Sequence, residues 1–129
     1  MSIEKTEYQG LLNELIALIE NAKRQVVSYA NSALTVLFWH VGKRILNHSL
    51  RNKRGEYGKQ IVVTVSRELV EKFGRNYEEK NLRRMIQFVE EYSDFENVVT
   101  LSRHLSWSHF LVLIPLKDQN ARDFRSQIA

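Results

Sequence analysis

Apolar residues recur along this chain at helical rather than alternating intervals, and the longest regular set lies at the N-terminal end. Tyr8, Leu12, Leu15, Ile19, Ala22, Val26, Tyr29, Ala33 and Val36 keep a three-four spacing over about four heptads, which predicts one long helix or two in sequence. Leu34, Leu37, Phe38, Val41 and Ile45 widen the apolar stripe toward its end. A stripe of that length needs cover from the chain's other helices or from a second copy, so a homodimer through the N-terminal helix is one expectation.

His48 to Tyr57 is polar, basic and contains Gly55, and reads as a loop. From Lys59 to Phe73 the residues Ile61, Val62, Val65, Leu69, Val70 and Phe73 return to helical intervals, although Ile61-Val62-Val63-Thr64-Val65 has strand propensity. Helix is the expectation there. Gly74 should end it, and Asn76 with Glu79 three residues on can form a capping box for a helix over about Tyr77 to Tyr92. Ser93 to Leu101 reads as a second connection. Ser106 can cap a short helix that stops near Pro115, and Asp118 can cap a last one. The fold class is therefore all-α: a long N-terminal helix or helix pair, a helix-turn-helix-like unit and two short C-terminal helices. With no repeat, linker or low-complexity tract, residues 1–129 read as a single domain.

Composition narrows the function more than it defines it. The absence of cysteine excludes disulfides, thiolate metal sites and cysteine nucleophiles, and fits a reducing compartment. The start, Met1-Ser2-Ile3-Glu4-Lys5, has no secretory pattern, and the most apolar stretch, Ala30 to Leu46, is too short and too polar to span a membrane because it holds His40, Lys43 and Arg44. A cytoplasmic protein without a membrane segment is the expectation. The net charge of +4 says little, but its distribution says more. The ten basic residues Arg51, Lys53, Arg54, Lys59, Arg67, Lys72, Arg75, Lys80, Arg83 and Arg84 stand against five acidic ones between Arg51 and Arg84, the asymmetry of a nucleic-acid-facing region.

The stretch from Lys59 to Tyr92 has the dimensions of a helix-turn-helix unit. On its second helix, at about 100° per residue, Leu82, Met85, Ile86 and Val89 fall on one side and Lys80, Arg83, Arg84 and Gln87 on the other. A recognition helix needs that division, an apolar back to dock and a front of long donors that reach phosphates and base edges. Arg83, Arg84, Gln87 and Asn81 are the candidates for base contact. Lys80, Lys59, Arg75 and the loop residues Arg51, Lys53 and Arg54 suit phosphates, with Lys72. Any solvated helix can show the same face, and Glu79 can pair with Arg83 four residues on.

Catalytic constellations are not found. Glu78-Glu79-Lys80 spells the acidic-x-Lys half of a metal-dependent nuclease motif, but it opens a helix instead of placing carboxylates on adjacent strands. His40 and His48 are eight apart, and His104 and His109 five apart; neither spacing presents two ligands on one helical face. Trp39 and Trp107 read as core anchors whose indole N–H groups find local partners. No metal or cofactor is implied.

Several strings resemble the N-terminal domain of the YhcG family: Asn31 with Leu37-Phe38-Trp39-His40-Val41-Gly42-Lys43-Arg44-Ile45; Gly58, Leu69 and Phe73; Asn81-Leu82-Arg83-Arg84-Met85 with Phe88; Leu105-Ser106-Trp107-Ser108-His109; and Arg122-Asp123-Phe124. That resemblance implies a helix-turn-helix-like DNA-binding domain preceding a PD-(D/E)XK nuclease-like domain that this chain does not contain. The chain then reads as the N-terminal module of a longer protein, in keeping with an end at Ile128-Ala129 that has no helix-stop signal. Tyr57 stands where the family often has Trp. Glu78 stands where a Ser usually opens the second helix, bringing a negative charge near any docked phosphate. The function expected is thus a DNA-binding module, itself no enzyme, that positions a nuclease domain. The alternative is a protein-interaction or dimerisation module without nucleic-acid binding.

Overall fold

The computed structural model describes residues 4–25, 30–52 and 55–128. Among them are six α-helices and no strand: α1 (Lys5–Gln25), α2 (Ala30–Asn52), α3 (Gly55–Phe73), α4 (Glu79–Glu91), α5 (Phe95–Ser102) and α6 (Trp107–Ile128), with a 3-10 turn at Arg75–Tyr77 before α4.

The N-terminal periodicity resolves into two helices, and α2 is the central one. Leu37, Phe38, Trp39, Val41 and Ile45 are buried over a wide arc of α2, which lets it pack against each of the other helices. On α1 the side chains of Tyr8, Leu11, Leu12, Leu15 and Ile19 are buried against α2 and α3 of the same chain. Of the two covers a stripe of this kind could have, the chain's own helices supply one for these five residues; Val26 and Tyr29 of the stripe lie outside the described residues. Glu14 and Arg44 tie α1 to α2 with a 2.8 Å ion pair on the outside.

In α3 burial overrides strand propensity. Ile61, Val62, Val65 and Leu69 are buried at helical intervals, while Val63 and Thr64 are only half-buried, so a helix hides what an alternating strand would leave out. Gly74 ends this helix: its N–H reaches Val70 O at 2.9 Å, and its backbone then turns to φ 101° and ψ −165°, a conformation open only to glycine.

Several expected boundaries are corrected. The stretch 48–57 is helical except for residues 53–54, which lie outside the described residues. Its polar residues bond between helices, because the buried Tyr57 hydroxyl donates to Glu7 O at 3.2 Å and so accepts a hydrogen bond from His48 Nε2–H at 2.6 Å. The capping box is replaced by the 3-10 turn: Glu78 precedes α4 without a side-chain cap. The connection expected over 93–101 is mostly α5, because Asp94 Oδ1 accepts from Glu96 N at 3.0 Å and Val98 and Ser102 turn inward. At α6, Ser106 sits before the first turn as expected. The partner that closes the cap is His109, whose Nδ1 accepts from Ser106 N at 3.0 Å in the place where a Glu usually sits. Pro115 does not stop α6, which runs through it to Ile128 with Phe110 and Ile114 buried on either turn. The helix is continuous at Asp118, so no second cap is needed there.

Candidate nucleic-acid interface

The candidate surface is built on α4, and its geometry begins with how α4 is held. Leu82, Met85, Phe88 and Val89 are buried and Ile86 is half-buried, which adds Phe88 to the apolar side read from the periodicity. The expected partner helix was α3, but α4 rests chiefly on α2. Backbones approach there, since a Cβ added to Gly42 would lie 2.2 Å from Met85 O and 3.0 Å from Ile86 N.

Each end of α4 is fastened by an indole. Trp39 Nε1 donates to Tyr92 O at 2.8 Å at the C-terminal end. Trp107 Nε1, from the first residue of α6, donates to Asn81 Oδ1 at 3.1 Å near the N-terminal end. Both tryptophans are buried anchors as expected, but their partners are distant in sequence, not local. An aromatic column packs beneath: Phe88 meets Trp107 at 5.4 Å and Phe110 at 4.7 Å between ring centroids, and Phe38 meets Trp107 at 5.1 Å and Tyr77 at 6.0 Å. Burial in this column pushes the Tyr77 phenol up to about 12.

The ten candidate residues are distributed unevenly. Lys80 and Arg83 are exposed on α4, Arg84 and Gln87 are half-buried beside them, and Arg75 is exposed in the turn that leads in. Lys80, Arg83, Arg84 and Gln87 fall on one face of α4 by helical spacing. Arg83 Nη2 bonds Glu79 Oε1 at 3.1 Å and Arg84 Nη1 bonds Gln87 Oε1 at 2.6 Å. A guanidinium has five N–H donors, so neither contact exhausts its side chain, and an exposed i,i+4 ion pair is worth only about 0.3–0.5 kcal/mol. Asn81 differs. Its Nδ2 donates to Asn76 O at 2.6 Å while its Oδ1 accepts from Trp107, so the amide joins the turn to α6 at both of its ends. Lys59 is exposed near the far end of α3, about 24 Å along the helix axis from the turn. Lys53, Arg54 and the side chain of Arg51 lie outside the described residues.

Sequence reasoning missed the acidic continuation of this face. Glu90 and Glu91 follow Gln87 at helical spacing, and Asp94 stands just beyond. The wheel that singled out Lys80 to Gln87 places them on the same side once it is carried one turn further. The face is cationic in its N-terminal half and anionic in its C-terminal half.

His40, His48 and His109 take structural positions, and His104 is exposed. His40 is half-buried against Trp39 and Phe95, with ring centroids 5.4 and 4.8 Å away; burial, and then the nearby Arg44, hold its pKa below the ordinary value. Among the described residues no group of three or more His, Cys, Asp or Glu is placed to hold a metal ion. No described helix is long and apolar enough to cross a membrane.

A family model described as the DUF1016 N-terminal domain matches residues 14–129. A curated protein of Escherichia coli (strain K12) named "Putative nuclease YhcG" is 28% identical over 100 residues, which cover 77% of this chain. The matched region spans 27% of that protein's length. No solved structure matches.

Proposed function

The chain belongs to the DUF1016 N-terminal domain family, and from that footing we propose that it is a DNA-binding module that positions a nuclease domain carried elsewhere in a longer protein. The observation that carries the reading is the N-terminal half of α4. Lys80, Arg83 and Arg84 project from a helix whose back is buried and whose ends are clamped, and Arg75 from the turn that leads into it, directly after Gly74. Helix-turn-helix proteins present the N-terminal residues of the second helix to the major groove, and this half of α4 holds the cations. The name of the Escherichia coli relative, "Putative nuclease YhcG", supports a nucleic-acid partner.

In this reading Arg75 and Lys80 hold phosphates, Arg83, Arg84 and Gln87 approach base edges, and Lys59 reaches backbone further along the duplex. Arg51, Lys53 and Arg54 would add phosphate contacts. Asn81 acts by fixing the angle of α4 through Asn76 and Trp107.

The test is a fluorescence-anisotropy titration against random-sequence duplex at several salt concentrations. Binding should weaken steeply with salt, and Arg83→Ala with Arg84→Ala should lower affinity at least tenfold. Undiminished binding by the double variant would refute the assignment of this face.

A second reading has its own support. Leu111, Val112 and Leu116 are 37%, 62% and 54% exposed on α6, a small apolar strip of the kind that seats a protein partner. Oligomers in light scattering with no salt-sensitive DNA binding would favour it.

A further inference from the structure

Helices α4 and α6 run side by side in the same direction. Trp107 meets Asn81 near their N-terminal ends, Phe110 packs on Phe88 midway, and the Lys117 ammonium reaches the Glu91 carbonyl and sits 4.1 Å from the centre of the Tyr92 ring further along. Two parallel helices joined in this way bring one flank of each to a common seam that faces solvent. On α4 that flank carries Lys80, Arg84 and Gln87; on α6 it carries Leu111 and Pro115, with the exposed Val112 and Leu116 next around the helix. We infer that the seam is a docking surface for an acidic amphipathic helix of a partner protein, with carboxylates on Lys80 and Arg84 and apolar side chains on Leu111, Val112 and Leu116.

The contacts fix which flanks meet. Lys117 and Tyr92 share the side of the α4–α6 junction that turns toward α2, where Trp39 holds Tyr92 O and Gly42 lies against Met85. At helical spacing Leu111 and Pro115 fall on the opposite side of α6 from Lys117, and Arg84 and Gln87 on the opposite side of α4 from Tyr92. A face shaped only for solvent does not account for what gathers there. Two leucines and a valine are exposed together on one helix. Pro115 has no N–H, so the Leu111 carbonyl loses its helical partner and can accept from a docked side chain.

Charge selects the occupant. Lys80 and Arg84 edge the apolar strip, Arg84 keeps donors beyond its bond to Gln87, and Glu91 on the same flank lies past Gln87 toward the C-terminal end of α4. A ligand with carboxylates toward one end and apolar residues three or four apart complements that order, whereas a basic one meets repulsion where the strip begins. A helix laid along a groove supplies such spacing. The proposal rests on the protein-interaction reading and names the chemistry of its partner. Because it engages Lys80 and Arg84, a bound partner would cover two of the cations that the nucleic-acid reading assigns to a duplex.

Selection against the full chain from a display library of random peptides, each about four helical turns long, tests the proposal. Selected peptides should be enriched in Asp and Glu together with apolar residues three or four apart, and their binding should weaken as salt rises. Val112→Ser, at a position exposed enough to leave the fold intact, should lower their affinity about tenfold by removing one branched side chain from the contact. K80E/R84E should lower it further, and a selected peptide with its acids changed to Lys should bind that variant but not the parent. If no peptide is selected, the protein-interaction reading falls and this proposal with it. Peptides that lack acidic enrichment, or that are indifferent to Val112→Ser or to K80E/R84E, would overturn this surface and its partner while leaving that reading in place.

Discussion

Gly42 of α2 lies against the main chain of Met85 in α4, so close that a Cβ at position 42 would sit 2.2 Å from the Met85 carbonyl oxygen and 2.5 Å from its carbon. The obstacle is backbone, which cannot swing aside as a side chain would. Gly42→Ala must therefore push the helices apart or tilt α4, and it should cost about 3 kcal/mol, the upper end of overpacking. For a chain of this length that lowers Tm by roughly 10 °C. A thermal melt within 2 °C of the parent would show that α2 and α4 do not meet in this way.

Gly10, Gly58 and Gly74 separate by conformation. Gly74 has open space around its Cβ position but holds φ +101°, so Gly74→Ala should destabilise by about 1–3 kcal/mol through backbone strain alone. Gly10 and Gly58 sit in helices with nothing within 4 Å of a built Cβ. Replacing either with Ala should stabilise by about 0.5–1 kcal/mol, since glycine is the poorer helix former. Urea midpoints of the three variants check the set, and the sign is what matters: loss at 74, gain at 10 and 58.

What the sequence disclosed depended on the range of the interaction responsible. The apolar faces of α1 to α4 follow from local periodicity, and Gly74 was legible because a turn residue acts where it stands. The division of α4 into a buried back and a cationic front was legible for the same reason. Helix ends were less so, because their stabilising partners are remote or unusual: His48 is helical where Tyr57 receives it, and Ser106 is closed by His109. Asn81 reads as a base-contact candidate on a helical wheel, and only the indole of Trp107, twenty-six residues on, changes its role. Gly42 gives no sign in periodicity that a second backbone lies beside it.

His40 should make stability depend on pH. Burial first and then Arg44 hold its pKa below the ordinary 6.5, so the unfolded chain takes up this proton more readily than the folded one. Stability from this source is complete above 6.5 and is lost as pH falls from there through the folded value. His40→Gln removes the titration. Urea midpoints measured from pH 8 down to 5 should fall more for the parent than for the variant; equal slopes would exclude the effect.

The Asn81 amide is a polar joint connecting the turn, α4 and α6, and it can be taken apart atom by atom. Asn81→Ala strands both the Trp107 N–H and the Asn76 carbonyl, which should cost about 1–3 kcal/mol. Trp107→Phe keeps the ring that packs on Phe38 and Phe88 but has no N–H to lose, so in that background the further cost of Asn81→Ala should shrink by about 1 kcal/mol. Additive costs would mean that the 3.1 Å contact carries no stability of its own. If the joint also sets the angle at which Lys80, Arg83 and Arg84 meet a duplex, Asn81→Ala should weaken DNA binding in conditions where the chain is still fully folded. The salt slope should stay that of the parent, because no cation has been removed. A weakened affinity with a smaller slope would instead mean that cationic contacts had come loose, and an unchanged affinity would leave Asn81 a purely structural residue.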